Sequence, residues 1–169
     1  DQRNDGGTEG EELAKDILVV VNVFTREVYA RAMPNKSAVE AKKAMVSILA
    51  TIGGKPGVLT TDGGGEFAGV FAAEMKSRGI ALRLKDGTNA IAIVDRTIQG
   101  LKNTLARMMA TEKGSWQQLL GKAVNAMNDT PKAVLHHESP SEVTSNPEVQ
   151  FMLQQDNASG IRHNAKLLE

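Results

Sequence analysis

Apolar and polar positions along this chain alternate in two rhythms, and the changes between them mark out its elements. Ile17 to Phe24 is a β-branched apolar run of strand length. Beyond Thr25-Arg26-Glu27, Val28 to Met33 reads as its hairpin partner, ended by Pro34 and Asn35. The period then lengthens. Ser37-Ala38-Val39-Glu40 has the form of a capping box, and Ala41, Ala44, Met45, Ile48 and Leu49 follow at helical spacing until Gly53-Gly54. Val58 to Thr61 is predicted as a strand. Glu66 to Arg78 is predicted as a helix with Phe67, Val70, Phe71 and Met75 on one face, closed by Gly79, and Ile80 to Leu84 as another strand.

The second half is helical. Asn89 to Met109 carries a seam of Ile91, Val94, Ile98, Leu101, Leu105 and Met108 in steps of three and four. Ser115 with Gln118 caps a helix reaching Met127. Ser139-Pro140-Ser141-Glu142 joins a capping box to a proline at the first helical position, and Asn146-Pro147 starts a last polar helix extending to about His163. Helical crossovers imply parallel pairing of the later strands in a sheet covered on both faces, with room for one more strand before the hairpin. The expected fold class is α/β, with ligand sites at the carboxyl ends of strands.

Composition narrows the functions. Hydrophobic residues make up 41% of the 169, and charged residues 24%, which suits a packed domain. Basic and acidic residues number 20 each, so a nucleic-acid surface would have to be a local patch. The absence of Cys excludes a zinc finger of the Cys type and a thiol nucleophile. No apolar run reaches the ~20 residues of a membrane span, so no membrane partner is expected.

The candidate chemistry lies in two carboxylates. Asp62 leaves an apolar strand into Gly63-Gly64-Gly65, and Asp95 sits on the opening turns of the long helix. Oxygen ligands on rigid elements are what Mg²⁺ requires, and two such ions about 3.5–4 Å apart could serve phosphodiester chemistry. The glycines leave room for a bulky polyanion. Asp95, Gln99 and Lys102 follow at i, i+4 and i+7, one polar stripe beside the apolar seam. Each residue alone also has a plainer reading. Asp before glycine is a common turn residue, and Asp near a helix start is favoured by the helix dipole. Glu66 reads as a first-turn residue, Trp116 as a core anchor, His136-His137 as solvated, and Lys42-Lys43 as a wet helix face.

Taken together, the motifs from Ile17 to about Val143 resemble the catalytic core of retroviral and LTR-retrotransposon integrases, a branch of the ribonuclease-H-like polynucleotidyl transferases. Ile17-Leu-Val-Val-Val-Asn-Val-Phe-Thr-Arg26 resembles the family's strand entering the hairpin. Thr61-Asp-Gly-Gly-Gly-Glu-Phe67 resembles its second catalytic motif, and Asn89-Ala-Ile-Ala-Ile-Val-Asp-Arg-Thr-Ile98 its third. Trp116, Ala126-Met-Asn-Asp-Thr-Pro131 and Ser139-Pro140 resemble its closing helices. The departures are Asp95 where the family has Glu, Gly63 where it has Asn, and Ile98 and Gln99 where it has Asn and a base; Lys102 keeps its place.

The resemblance implies a ribonuclease-H-like five-stranded mixed sheet with helices on both faces. It implies a core over residues 1–144 and a helical linker or tail over 145–169, excised from a larger polyprotein. It implies metal-dependent DNA 3′-end processing and strand transfer, with Mg²⁺ (or Mn²⁺), two ions, held by Asp62, Asp95 and a first Asp. Asp1 fits that first position if the following turn carries an insertion; otherwise the residue lies upstream. Lys102, Gln99, Arg96, Lys85 and Asn89 are the implied DNA contacts. The implied partners are element ends and target duplex, the assembly a homodimer through the helices at 89–109 and 115–127, and the compartment the nucleus. Two alternatives stay open: a catalytically degenerate or domesticated core acting as a dimeric DNA- or protein-binding scaffold, and a ribonuclease-H-like nuclease.

Overall fold

The computed structural model describes residues 13–85 and 89–166, the side chains of 89–91 and 160–166 excepted. The expected site residue Asp1 and the strand expected before the hairpin lie outside the described residues. Among the described residues, four strands and six α-helices follow in the order β1 (Asp16–Val21), β2 (Val28–Met33), α1 (Ala38–Leu49), β3 (Val58–Thr61), α2 (Val70–Ser77), β4 (Ala81–Leu84), α3 (Asn89–Thr111), α4 (Trp116–Asn128), α5 (Pro140–Ser145) and α6 (Pro147–Lys166), with short 3₁₀ turns at Gly65–Phe67 and Ala133–Leu135. They fall into two compact units, one drawn from Asp1–Leu18 and Arg31–Lys85, the other from Val19–Ala30 and Asp86–Glu169.

In the first unit, Ser37 caps α1 by accepting the Glu40 N–H, and Ala41, Ala44, Met45 and Ile48 form its buried face. Helix α1 packs against α2, which buries Phe71 and Met75, and against the Gly65–Phe67 turn. Phe67 meets Phe71 edge to face at 5.3 Å, a favoured aromatic geometry. Helix α2 ends in a paired closure: the Ile80 N–H reaches the Met75 carbonyl and the Gly79 N–H the Lys76 carbonyl, with Gly79 at φ +67°. This is the Schellman arrangement, and it needs the left-handed residue glycine supplies. The helix expected over Glu66 to Arg78 is in fact split, because Gly69 at φ +54° interrupts it before Val70.

Strands β3 and β4 pair in parallel, with Val58 opposite Ala81 and Thr61 opposite Leu84. A single five-stranded sheet covered on both faces was expected. The described strands form instead two two-stranded sheets, β1 with β2 and β3 with β4. Every position of β4 is exposed, Leu84 to 69%, and Val58 of β3 to 49%. An apolar run reports that a segment is extended; it carries no information on which strand will lie beside it.

In the second unit the α3 and α4 seams pack on each other, burying Leu101, Leu105, Leu119, Leu120 and Ala123. Gly100 permits the approach: a Cβ there would stand 3.3 Å from the Met127 methyl. Surplus apolar surface on these helices was expected to mark a dimer contact. Among their described residues Met109 is exposed, and Ile93, Val94, Ile98, Met108, Val124 and Met127 are only half-buried. Of the caps read from the sequence, Ser115 with Gln118 opening α4 and Ser139 with Glu142 opening α5 are full boxes, whereas the expected box at Ser37 is only half formed, because the Ser37 N–H goes to Asn35 Oδ1 and the Glu40 carboxylate to Lys43. Helix α5 packs against α6, and Leu135, Val143 and Leu153 make a small core with Phe24 and Val149 beside it. Strand β1 stops at Val21, short of the expected Phe24, because the Asn22 side chain takes the N–H groups of Phe24 and Thr25 and starts the turn. No helix among the described residues is long and apolar enough to cross a membrane.

Candidate active site

The first candidate carboxylate sits where a parallel strand pair ends. The β3–β4 ladder closes with the Lys85 N–H on the Thr61 carbonyl at 2.8 Å, and Asp62 is the next residue. Asp62 and Lys85 therefore leave neighbouring strands at the same edge, the carboxyl end, where open α/β sheets place their ligands. Both side chains are exposed. The Asp62 carboxylate is held locally, since its Oδ1 accepts the Gly64 N–H at 3.1 Å while Gly63 stands at φ +80°. This is an Asx turn, which fixes the direction of a side chain otherwise free in solvent.

Gly64 is confined by a second carboxylate. The Glu66 side chain occupies the space a Cβ on Gly64 would need, so Asp62 and Glu66 converge on one glycine from opposite ends of the turn. Glu66 is a first-turn residue, as the sequence predicts, but of the 3₁₀ turn that precedes α2, where it is half-buried and folded back over Gly64. The only available signal was the second of three successive glycines, a position where a bare Cα serves close approach.

The second candidate carboxylate belongs to the other unit. Asp95 lies in α3 with Arg96, Gln99 and Lys102, and all four side chains are exposed while Leu101 and Leu105 are buried. The stripe is real as a helical face. Gln99 Nε2 donates to Asn103 Oδ1 at 2.9 Å, which keeps the Gln99 carbonyl outward. Asn89 opens α3, and only its backbone is described.

The donors on offer are carboxylate oxygens, the type hard divalent cations take. Among the described residues, no three Asp, Glu or His side chains gather in one place. Asp62 and Asp95 suit Mg²⁺ in kind, and a complete ligand set needs a further group.

No model of a protein family matches the sequence, and no curated protein does. Solved structures do. A chain of the simian T-cell lymphotropic virus intasome in complex with PP2A regulatory subunit B56 gamma superimposes with a TM-score of 0.69 at 21% identity, over 78% of this chain and 48% of its own. This chain thus spans about half the length of that intasome chain. The catalytic core domain of BIV integrase gives 0.67 at 19% identity, over 78% of this chain and 86% of its own. The HTLV-2 integrase catalytic core domain in complex with magnesium, in a trimeric form, gives 0.64 at 17% identity, over 76% and 92%. The fold of this chain is that of the retroviral integrase catalytic core domains.

Proposed function

We propose that this domain carries out DNA 3′-end processing and strand transfer for a retroelement. The observation that carries the reading is Asp62, held in an Asx turn at the carboxyl end of a parallel strand pair, in a fold shared with integrase cores. Asp62 and Asp95 are the proposed metal ligands, with Asp1 as the third. Bound there, two Mg²⁺ or Mn²⁺ ions would activate a water or a DNA 3′-hydroxyl for in-line attack and neutralise the phosphodiester charge. Gly65, where a Cβ would meet no atom within 4 Å, leaves the mouth of the turn clear for a sugar–phosphate chain. On α3, Arg96, Gln99 and Lys102 offer a polar, exposed stripe to phosphate, and Lys85 and Asn89 are assigned the same role. Residues 1–144 are assigned to the catalytic core and 145–169 to a helical extension. Joining two DNA ends in concert calls for at least two copies, and the substrate puts the work in the nucleus.

A scaffold that binds DNA or protein without cutting is the second reading, favoured by Asp95 standing where the resembled family has Glu. One experiment separates them. The chain is incubated with a labelled duplex and Mg²⁺ or Mn²⁺, and cut and joined products are resolved, while calorimetry follows metal binding. Products that vanish in Asp62→Asn and in Asp95→Asn support the enzyme. Wild-type protein that binds duplex as well as both variants do, and yields no product, identifies the scaffold.

A further inference from the structure

On a chain of zero net charge, basic side chains that have no role assigned above gather on one face of the first unit. Lys42 and Lys43 of α1, Lys55 in the following loop and Arg78 at the end of α2 line two neighbouring open hollows of about 440 and 460 Å³, which share Arg78. Arg31 joins them, since its Nε donates at 2.9 Å to the hydroxyl of Ser47 in the wall of one hollow. Among the described residues, two carboxylates pair with cations of this face. Glu74 pairs with Arg78 at 2.7 Å and Glu40 with Lys43 at 2.6 Å. Both pairs are solvent-accessible, so each is worth at most about 1 kcal/mol and is readily exchanged for another anion. Lys42 and Lys55 make no ion pair with a carboxylate among the described residues.

Helix chemistry accounts for part of this charge. Lys55 Nζ stands 2.9 Å from the Cβ position of Gly79, over the turn that ends α2, and cations favour a helix C-terminus. That explains Lys55 and Arg78. It does not bear on Lys42 and Lys43, which lie beyond the first turn of α1 and so outside the reach of either helix end.

We propose that this face of α1 and α2 is a second nucleic-acid contact, one that grips sugar–phosphate backbone. The cations are spread along the hollows instead of focused on one point, which matches a chain of phosphates. Gly53 and Gly54 leave the rim bare, a Cβ at either meeting no atom within 4 Å, so a thick strand can approach. No aromatic side chain lines either hollow to stack a base. Contact limited to phosphate positions a nucleic acid without reading its sequence. An acidic peptide would want an exposed apolar anchor beside the cations, and the apolar wall residues Val46, Leu49, Ile52 and Ile80 are half-buried or buried. The inference rests on the proposed function only in that DNA is at hand, and its test reads binding, not chemistry.

Anisotropy of a fluorescein-labelled duplex of arbitrary sequence is titrated with the full chain across a salt series. The double variant Lys42→Gln, Lys55→Gln should bind more weakly, with the slope of log K against log salt reduced by about 1.8, roughly 0.9 for each phosphate that is no longer neutralised. The reduction should be equal for unrelated sequences and should persist in a Lys102→Ala background. Circular dichroism melting checks that the variant is folded. An unchanged slope in folded protein overturns the proposal, as does a chain that binds no duplex. Labelled polyglutamate that binds the wild type but not the variant, while duplex affinity stays level, overturns it in favour of an acidic protein partner. A reduced slope in a chain that yields no cut or joined product leaves this inference standing and removes the catalytic one.

Discussion

The side-chain amide of Asn128 makes both backbone hydrogen bonds of Val28, a residue one hundred positions earlier. Its Oδ1 accepts the Val28 N–H at 2.8 Å, and its Nδ2 donates to the Val28 carbonyl at 2.9 Å. Both residues are buried, so neither backbone group could turn to water instead. The last turn of α4 thereby stands in for a neighbouring strand along β2. Asn128→Ala would strand a donor and an acceptor, at about 1–3 kcal/mol for each buried group left unpaired. We expect a total loss of roughly 2–6 kcal/mol by chemical denaturation. Asn128→Asp can accept but cannot donate, and should lose a comparable amount. A loss within about 0.5 kcal/mol, the range of ordinary surface changes, would show that the clamp is dispensable.

The hairpin turn stores strain in one residue. Arg26 stands at φ +61°, its N–H bonded to the Asn22 carbonyl at 2.8 Å, and one of its terminal guanidinium nitrogens is buried without a partner. Burial pushes the Arg26 pKa down from its ordinary value. Left-handed backbone costs a side-chain-bearing residue on the order of 1 kcal/mol, and glycine avoids that cost. Arg26→Gly should therefore raise stability by about 1 kcal/mol, and by more than Arg26→Ala, which relieves only the buried nitrogen. Denaturation midpoints of the two variants decide. If Ala equals Gly, the backbone is not strained.

What could be read from the sequence follows the reach of each interaction. Val28–Met33 and Val58–Thr61 were legible to the residue, as were the Ser115 and Ser139 boxes, because each is decided within a few positions of chain. The Asx turn at Asp62 was legible for the same reason. Parallel pairing of the later strands was legible from the helical crossover and holds between β3 and β4, but the division of the described strands into two sheets was not, since backbone pairing leaves no mark on composition. Nor was the role of Asn128, named in the sequence only within the Ala126–Pro131 block, because it depends on Val28 being placed against it. Glu66 over Gly64 depends on a side-chain rotamer, which spacing cannot encode.

The Ser139–Glu142 box makes the start of α5 sensitive to acid. The Ser139 hydroxyl donates to Glu142 Oε2 at 2.7 Å and the Ser139 N–H to the same oxygen at 2.8 Å. These bonds, the hydroxyl's first, hold the Glu142 carboxyl below its ordinary value. A carboxylate with a depressed folded pKa contributes stability above its unfolded pKa, about 4.3 for glutamate, and that contribution drains away as pH falls through the folded value. Glu142→Gln keeps an acceptor for the box and cannot titrate. Melting temperatures of the two proteins should be separated near neutral pH and converge below the glutamate range. A gap that stays constant down to strongly acidic pH would assign the difference to something other than this carboxylate.

Asp95→Glu tests whether the shorter acid limits the proposed reaction. The side chain is exposed on α3, so one added methylene meets no packing constraint, and surface changes of this kind move stability by less than about 0.5 kcal/mol. Glutamate is also the better helix former by a few tenths of a kcal/mol, so the melting temperature should hold or rise slightly. Any change in product formation then reports on ligand reach and not on folding. A ligand on a helix cannot shift its backbone toward a cation, whereas a longer side chain can extend toward it. Mg²⁺ tolerates little departure from octahedral geometry, so the gain should be larger with Mg²⁺ than with a more forgiving ion such as Mn²⁺. We expect cut and joined products from Asp95→Glu to form roughly tenfold faster with Mg²⁺, equivalent to about 1.4 kcal/mol of transition-state stabilisation. Asp95→Asn should be silent with either ion. A folded Asp95→Glu protein slower than wild type would mean that the site is built around the aspartate, and that Asp62 and Asp95 approach their cation more closely than the glutamate of the resembled family does.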